Sequence, residues 1–235
     1  MKILALIPAR SGSKRIPNKN IRLFGSKPLI VWTIEIAKSI PEIHDVLVST
    51  DSAEIAAISS AAGAKVPWLR PSEIATDEAS SVDVAIHALD QYENEFGEVD
   101  GILLLQPTSP FRTREFISDG IKKYLVSGGN SVIGVSPVRE NPSWMVTIDN
   151  NIIKWIDNQC KSVNESKSSG NLYSINGSFY LTSPATLRTL RSFYSSVTVP
   201  IICESITESL DIDTEAEFEL GELFLKQIFS AKSME

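Results

Sequence analysis

The chain has 235 residues, 43% hydrophobic and 22% charged, with a formal net charge of −7 at pH 7 and a pI near 5.0. That balance fits one large globular domain with room for a small appendage, and it argues against a general nucleic-acid or anionic-membrane binder. The only cysteines, Cys160 and Cys203, and the only histidines, His44 and His87, lack metal-ligand spacing, so neither a zinc site nor a disulfide is expected and a reducing, cytoplasmic setting fits.

The apolar run from Ile3 to Ile7 is too short for the core of a signal peptide and reads as a first strand. No apolar run approaches the roughly 18 residues that a membrane span requires. After Pro8 a loop carries Arg10, Lys14, Arg15 and Lys19 around Gly12. Residues 27–40 read as a helix with Pro28 in its first turn and Leu29, Trp32, Ile36 and Ala37 at helical spacing. HDVLVSTD is a β-branched run ending in Ser49, Thr50 and Asp51, and SAEIAAISSAAG is the next helix, stopped by Gly63. AKVPWL reads as a short strand. SVDVAIHALDQYENEF is a helix capped by Ser80 or Ser81. GILLLQ is nearly all apolar, as expected of a strand buried on both faces of a parallel sheet. Residues 114–126 are helical and NSVIGVSPV is strand-like. This alternation over residues 1–138 predicts an open, doubly wound α/β sheet. The loops 10–20, 49–51 and 106–112 each follow a strand, so they can share one crevice.

Beyond residue 138 the rhythm breaks. NPSWMVTID and NIIKWID alternate around an Asp149–Asn151 turn and read as a hairpin, with Trp144 and Trp155 as interface anchors. KSVNESKSSGN is polar and loop-like. INGSFYLT and VTVPIICE are strands, and residues 214–229 form a last helix.

Three stretches carry chemistry. The first 34 residues hold seven of the 22 basic residues and no acid, leaving 15 bases against 29 acids in the rest. Small residues alternate with these cations after a strand, which suits a triphosphate or pyrophosphate bound by Arg10 and Lys14, although a solvated cationic turn has the same composition. The GxxxxGK[ST] spacing of a Walker loop is missing. In Asp211-Ile212-Asp213, extended backbone would send both carboxylates to one side, as oxygen ligands for Mg²⁺, while Asp213 or Thr214 is equally suited to cap the next helix. Gln106, ahead of two prolines and Arg112, is either a polar reader of a ligand or the start of a rigid connection with Arg112 as a surface charge. Asn176-Gly177 is either a tight turn or a ligand-reading amide. His44 and His87 read as packing residues.

IPARSGSKRIPNKN, VSTDSAEI, RPSEIATDEASS, QPTSPFR, INGSFY and SLDIDTEAEFE occur in the order and approximate spacing of the acylneuraminate cytidylyltransferase family, the CMP-sialic acid synthetases and their CMP-nonulosonic acid relatives. The resemblance runs from Ile3 to about Glu222. It implies a Rossmann-like doubly wound mixed sheet of the nucleotide-diphospho-sugar transferase type. Residues 1–138 and 176–235 would form that domain, and residues 139–175 a dimerisation excursion exchanged in a homodimer. It implies transfer of CMP from CTP to a nonulosonic acid, N-acylneuraminate or similar, with Mg²⁺. Matched position by position, Arg10, Ser13, Lys14, Lys19, Asn20, Arg70 and Ser81 would bind the nucleotide. Gln106, Asn176 and Tyr180 would read the sugar, Phe193 and Tyr194 would sit near its acyl group, and Asp211 and Asp213 would hold metal. Arg10, Lys14 and Asp211 would act in catalysis.

Two departures concern the sugar. ESKSSGN stands where relatives carry an arginine reaching the partner's sugar, leaving Lys161 or Lys167 nearby. Arg15 stands where glycine is frequent in sialic-acid enzymes, as in the pseudaminic-acid branch. Pseudaminic or legionaminic acid is therefore an alternative for the same reaction; a Kdo-type sugar is another, against which the SGSKRIPNKN loop argues, and a non-catalytic nucleotide-sugar-binding protein is an alternative of a different class.

Overall fold

The computed structural model describes residues 1–138, 142–156 and 172–232. Its strands are β1 (Ile3–Pro8), β2 (Leu23–Phe24), β3 (Lys27–Pro28), β4 (Ile43–Ser49), β5 (Gly101–Leu104), β6 (Val132–Pro137), β7 (Val146–Asp149), β8 (Ile152–Trp155), β9 (Tyr173–Thr182) and β10 (Val199–Ile202). Its helices are α1 (Leu29–Lys38), α2 (Ala53–Ala61), α3 (Ser81–Phe96), α4 (Arg114–Val126), α5 (Pro184–Leu190) and α6 (Glu215–Lys232). Six strands form the main sheet in the order β10-β6-β9-β5-β1-β4. β1 runs parallel to β4 and β5, β10 parallel to β6, and β9 lies antiparallel between β5 and β6. The sheet is thus mixed and doubly wound, as expected.

Alternation along β1 explains why its sequence is apolar throughout. Ile3, Ala5 and Ile7 pack with α1, α2 and α4 on one face, while Leu4 and Leu6 pack with α3 and α5 on the other. A strand covered on both sides has no polar face to show. The helices start where side chains can satisfy free amide groups. Ser52, Ser80, Thr113 and Ser183 each accept a hydrogen bond from the amide three residues on. Pro28 lies one residue before the first turn of α1, as its N-cap.

AKVPWL is not a strand. Lys65 makes a single parallel bridge to Leu47, and Pro67, which has no N–H to donate, stands two residues on. The seven-residue helix α5, started by Ser183-Pro184, is an addition to the elements expected. β7 and β8 form the expected hairpin, turned at Asn150 and Asn151, whose φ values of 49° and 62° fit a two-residue turn. β9 begins at Tyr173, so Tyr173, Ser174 and Ile175 already pair with β6. Cys160, Lys161 and Lys167 lie outside the described residues. Cys203 is a free, buried thiol. Among the described residues no helix is long and apolar enough to cross a membrane.

A third apolar cluster matters most for the site. Ile16 from the basic loop, Phe24, Leu29, Ile212, and Phe218 and Leu225 of α6 are buried together. Gly221 in α6 allows the Phe24 ring to approach, since a Cβ there would lie 2.7 Å from the ring. Arg22 covers the Phe218 ring at 4.1 Å and pairs with Glu215. The basic loop and the Asp211–Asp213 segment are therefore fixed to one another through apolar contacts.

Candidate active site

The basic loop leaves β1 at the carboxyl edge of the sheet and is held from three sides. Ala9 donates to Ser49 O at 2.9 Å. The Asp51 carboxylate accepts from Ser11 N at 2.9 Å and from Ser11 Oγ at 2.6 Å. Buried Asn20 donates to Arg10 O at 3.0 Å. The loop's shape thus comes from neutral and acidic groups behind it, which leaves its cations for the front.

Those cations line a cavity of about 560 Å³, together with Ser13, Asn20, Arg70, Ser81, Gln106, Thr108, Asp211 and Asp213. Arg10 and Lys14 both pair with Asp77. Lys19 Nζ donates to Ile212 O at 2.9 Å and to Asp213 at 2.8 Å, and Arg15 reaches the same carboxylate at 3.2 Å. Arg70 is buried, and its Nε and Nη2 atoms have no hydrogen-bond partner. Burial lowers its pKa and the nearby Asp51 charge opposes that shift. Donors of this kind, buried and unsatisfied at a cavity wall, are ready for a polar ligand.

The two aspartates differ. Ile212 turns into the third cluster and the carboxylates on either side of it line the cavity, the alternation expected of extended backbone. Burial, reinforced by the neighbouring Asp213 charge, raises the Asp211 pKa against a hydrogen bond from Thr108. Asp211 Oδ1 is buried without a partner. The hydrogen bond from Lys19 is the main reason that the Asp213 carboxyl lies below its ordinary range. Among the described residues there is no group of three or more metal-ligating side chains. A carboxylate pair with one unsatisfied oxygen does fit a magnesium ion, which keeps waters and substrate phosphates as its other ligands.

Gln106 follows β5 by two residues and approaches Gly177, where a Cβ would lie 3.1 Å from Gln106 Oε1 and 3.8 Å from Asp211 Oδ2. Gly177 has φ +75° and lies in a bulge. Between the pairs Ile133↔Tyr180 and Val135↔Ile175, β6 advances two residues and β9 five. Asn176 in this bulge donates to Ser136 Oγ at 2.8 Å and accepts from Ser178 N at 3.0 Å and Ser178 Oγ at 2.7 Å. Its amide therefore shapes the bulge. Asn176, Tyr180, Phe193 and Tyr194 do not line the cavity. Tyr180 contacts the Phe193 ring at 5.7 Å, Phe193 is buried in the core and Tyr194 is exposed.

A cytidylyltransferase family model matches residues 4–227. The chain belongs to the cytidylyltransferase family. Its sequence is 41% identical over 230 residues to the CMP-N,N'-diacetyllegionaminic acid synthase of Legionella pneumophila, covering 96% of this chain and 97% of that one. It is 36% identical to the N-acylneuraminate cytidylyltransferase of Escherichia coli O18:K1:H7, covering 94% of this chain but 51% of that one. It is 29% identical to the pseudaminic acid cytidylyltransferase of Campylobacter jejuni, covering 96% and 97%. The CTP complex of CMP:2-keto-3-deoxy-manno-octonic acid synthetase shares the fold, with a TM-score of 0.70 at 16% identity over 97% of this chain and 99% of that one. So does 4-diphosphocytidyl-2C-methyl-D-erythritol synthase from Anaerococcus prevotii, at 0.64 and 15% over 95% and 96%. The resemblance read from the six motifs is borne out, and the chain is a nucleotidyltransferase of the CMP-nonulosonic acid synthetase group.

In this cytidylyltransferase several residues near the site carry roles that single-residue reasoning did not assign. Asp51, at the end of the 49–51 loop expected in this crevice, and Asp77 are neighbours of the cations, and no role is legible for either in the sequence, because isolated acids in loops look like surface charge. Arg112 is a buried staple, with hydrogen bonds to Ser178 O, to Ser109 O at 2.7 Å and to Gln106 O at 2.8 Å. It fixes the 106–112 loop to the bulge, and burial lowers its pKa to about 9. His44 is exposed. His87 has a lowered pKa through burial and the Arg70 charge.

Proposed function

We propose that this enzyme transfers CMP from CTP to the anomeric hydroxyl of a nonulosonic acid and releases pyrophosphate, with Mg²⁺ as its cofactor. The observation that carries the reading is the cavity in which the loop cations meet Asp211 and Asp213. A metal–triphosphate complex needs both signs of charge within its own length. The sugar hydroxyl oxygen attacks the α-phosphorus as the bond to the β-phosphate oxygen breaks, and the electron pair leaves with pyrophosphate. Arg10 and Lys14 stabilise the leaving charge, while Lys19 holds the Asp213 carboxylate and the loop in register. Ser13, Asn20, Arg70 and Ser81 complete the nucleotide wall. Asp211 and Asp213 would hold magnesium, which supplies charge neutralisation and makes a bound hydroxyl more acidic. Lys14→Ala is expected to lower kcat/KM for CTP by about 10²-fold or more. A near-normal value would overturn its role.

N,N'-diacetyllegionaminic acid is the sugar that the 41% identity along the full length of the Legionella relative supports. N-acylneuraminate is the second reading, supported by the 36% identity to the Escherichia coli relative. Gln106, Asn176 and Tyr180 would read the sugar, Gln106 directly and the other two through the bulge beside it, with Phe193 and Tyr194 behind Tyr180. We also propose a cytoplasmic homodimer formed through residues 139–175. Supporting it, Ile148, Ile152, Ile153 and Trp155 are exposed on the β7–β8 hairpin, with exposed Trp144 and Ile156 just outside its ends.

A further inference from the structure

The cations assigned to the leaving group have an anionic partner within the chain itself. Asp77 Oδ1 meets Arg10 Nη1, and Asp77 Oδ2 meets Lys14 Nζ. One carboxylate thus engages two cations with its two oxygens, as a phosphate group would. Asp77 sits between the 3₁₀ turn Ser72–Ile74 and Ser80, the cap of α3. Thr76, Asp77 and Ala79 line the same cavity, and most of the segment 71–80 is solvent-exposed.

We propose that Asp77 is an intramolecular competitor of the triphosphate, occupying the Arg10–Lys14 cradle until the β- and γ-phosphates displace it and release the segment around it. The inference rests on the reading that Arg10 and Lys14 bind the pyrophosphate end of CTP. A carboxylate carries one charge and a pyrophosphate several, so the exchange favours the ligand while single anions are kept out. Exposed ion pairs are weak, which keeps the exchange accessible.

Titration calorimetry with inorganic pyrophosphate at fixed ionic strength tests this on the wild type and on Asp77→Asn, Asp77→Glu and Lys14→Ala. Asp77→Asn is expected to bind about three- to tenfold more tightly, as loss of two exposed ion pairs allows. Asp77→Glu, which keeps the charge, should bind like the wild type. Amide exchange of residues 73–79 in the wild type should speed up when pyrophosphate is added. Unchanged or weaker binding by Asp77→Asn, with Lys14→Ala still weakened, overturns the competition and leaves the cradle standing. Slower exchange in residues 73–79 also overturns it. If Lys14→Ala binds like the wild type, the cradle reading falls and the competition with it.

Discussion

Asp211 and Asp213 stand two residues apart, and their surroundings shift their pKa values in opposite directions, Asp211 up and Asp213 down. Lys19 and Arg15 keep the Asp213 carboxyl ionised, so its contribution to stability is present above about pH 4 and is lost as the pH falls through its lowered folded value. Asp211 runs the other way. Its raised pKa means that folding favours the protonated acid, and stability is lost as the pH rises through that folded value. Asp211→Asn should therefore raise the thermal midpoint of the ligand-free protein at pH 7, with the difference shrinking towards pH 4. It should also cut turnover by about 10²-fold or more and weaken the dependence on magnesium. A lower midpoint at pH 7, or normal magnesium dependence, would contradict the account. The spacing of this pair was legible because extended backbone has a period of two. The split in its chemistry was not, because Lys19 and Arg15 lie some 200 residues away in sequence. Arg112, a surface charge in one of the two readings of its loop, is instead buried, and that was not legible for a related reason. A lone arginine is usually exposed, and the carbonyls that bury this one come from another strand and from its own loop.

At the scale of elements, the cluster of Ile16, Phe24, Ile212 and Phe218 joins the two halves of the site. Ile212→Ala should cost about 2–5 kcal/mol in denaturant unfolding, as other deletions of buried isoleucine do. It should also raise KM for CTP, since the basic loop and the carboxylates lose their shared anchor. Loss of stability with an unchanged KM would mean that the loop is held by Asp51 and Asn20 alone. Most elements were legible because α1, α3 and α4 show helical spacing and β1 and β5 are continuously apolar. The bulge at Asn176-Gly177 was not legible beyond two alternatives. Its form depends on how β6 and β9 pair, and no local pattern encodes that offset. The short helix α5 was signalled by Ser183-Pro184, but seven residues give little periodicity to read.

For the whole molecule, the acidic balance and the cationic first 34 residues together describe a protein that takes a phosphate-rich ligand at one place. The fold follows from one sheet covered on both faces, with α6 closing the side where the site lies. The hairpin of β7 and β8 is too small to bury its own apolar residues. The cross-strand pair Ile148 and Ile153 is exposed on both members. Ile148→Glu with Ile153→Glu should convert the proposed dimer to monomer in sedimentation velocity, and an unchanged sedimentation coefficient would remove the hairpin from the interface. The central claim is the reaction itself. Pyrophosphate release should be measured with CTP and magnesium, offering N,N'-diacetyllegionaminic acid, N-acetylneuraminic acid, pseudaminic acid and 2-keto-3-deoxy-manno-octonic acid in turn. The account predicts release with a nonulosonic acid and the highest kcat/KM with N,N'-diacetyllegionaminic acid. CTP binding without pyrophosphate release from any of the four would contradict it.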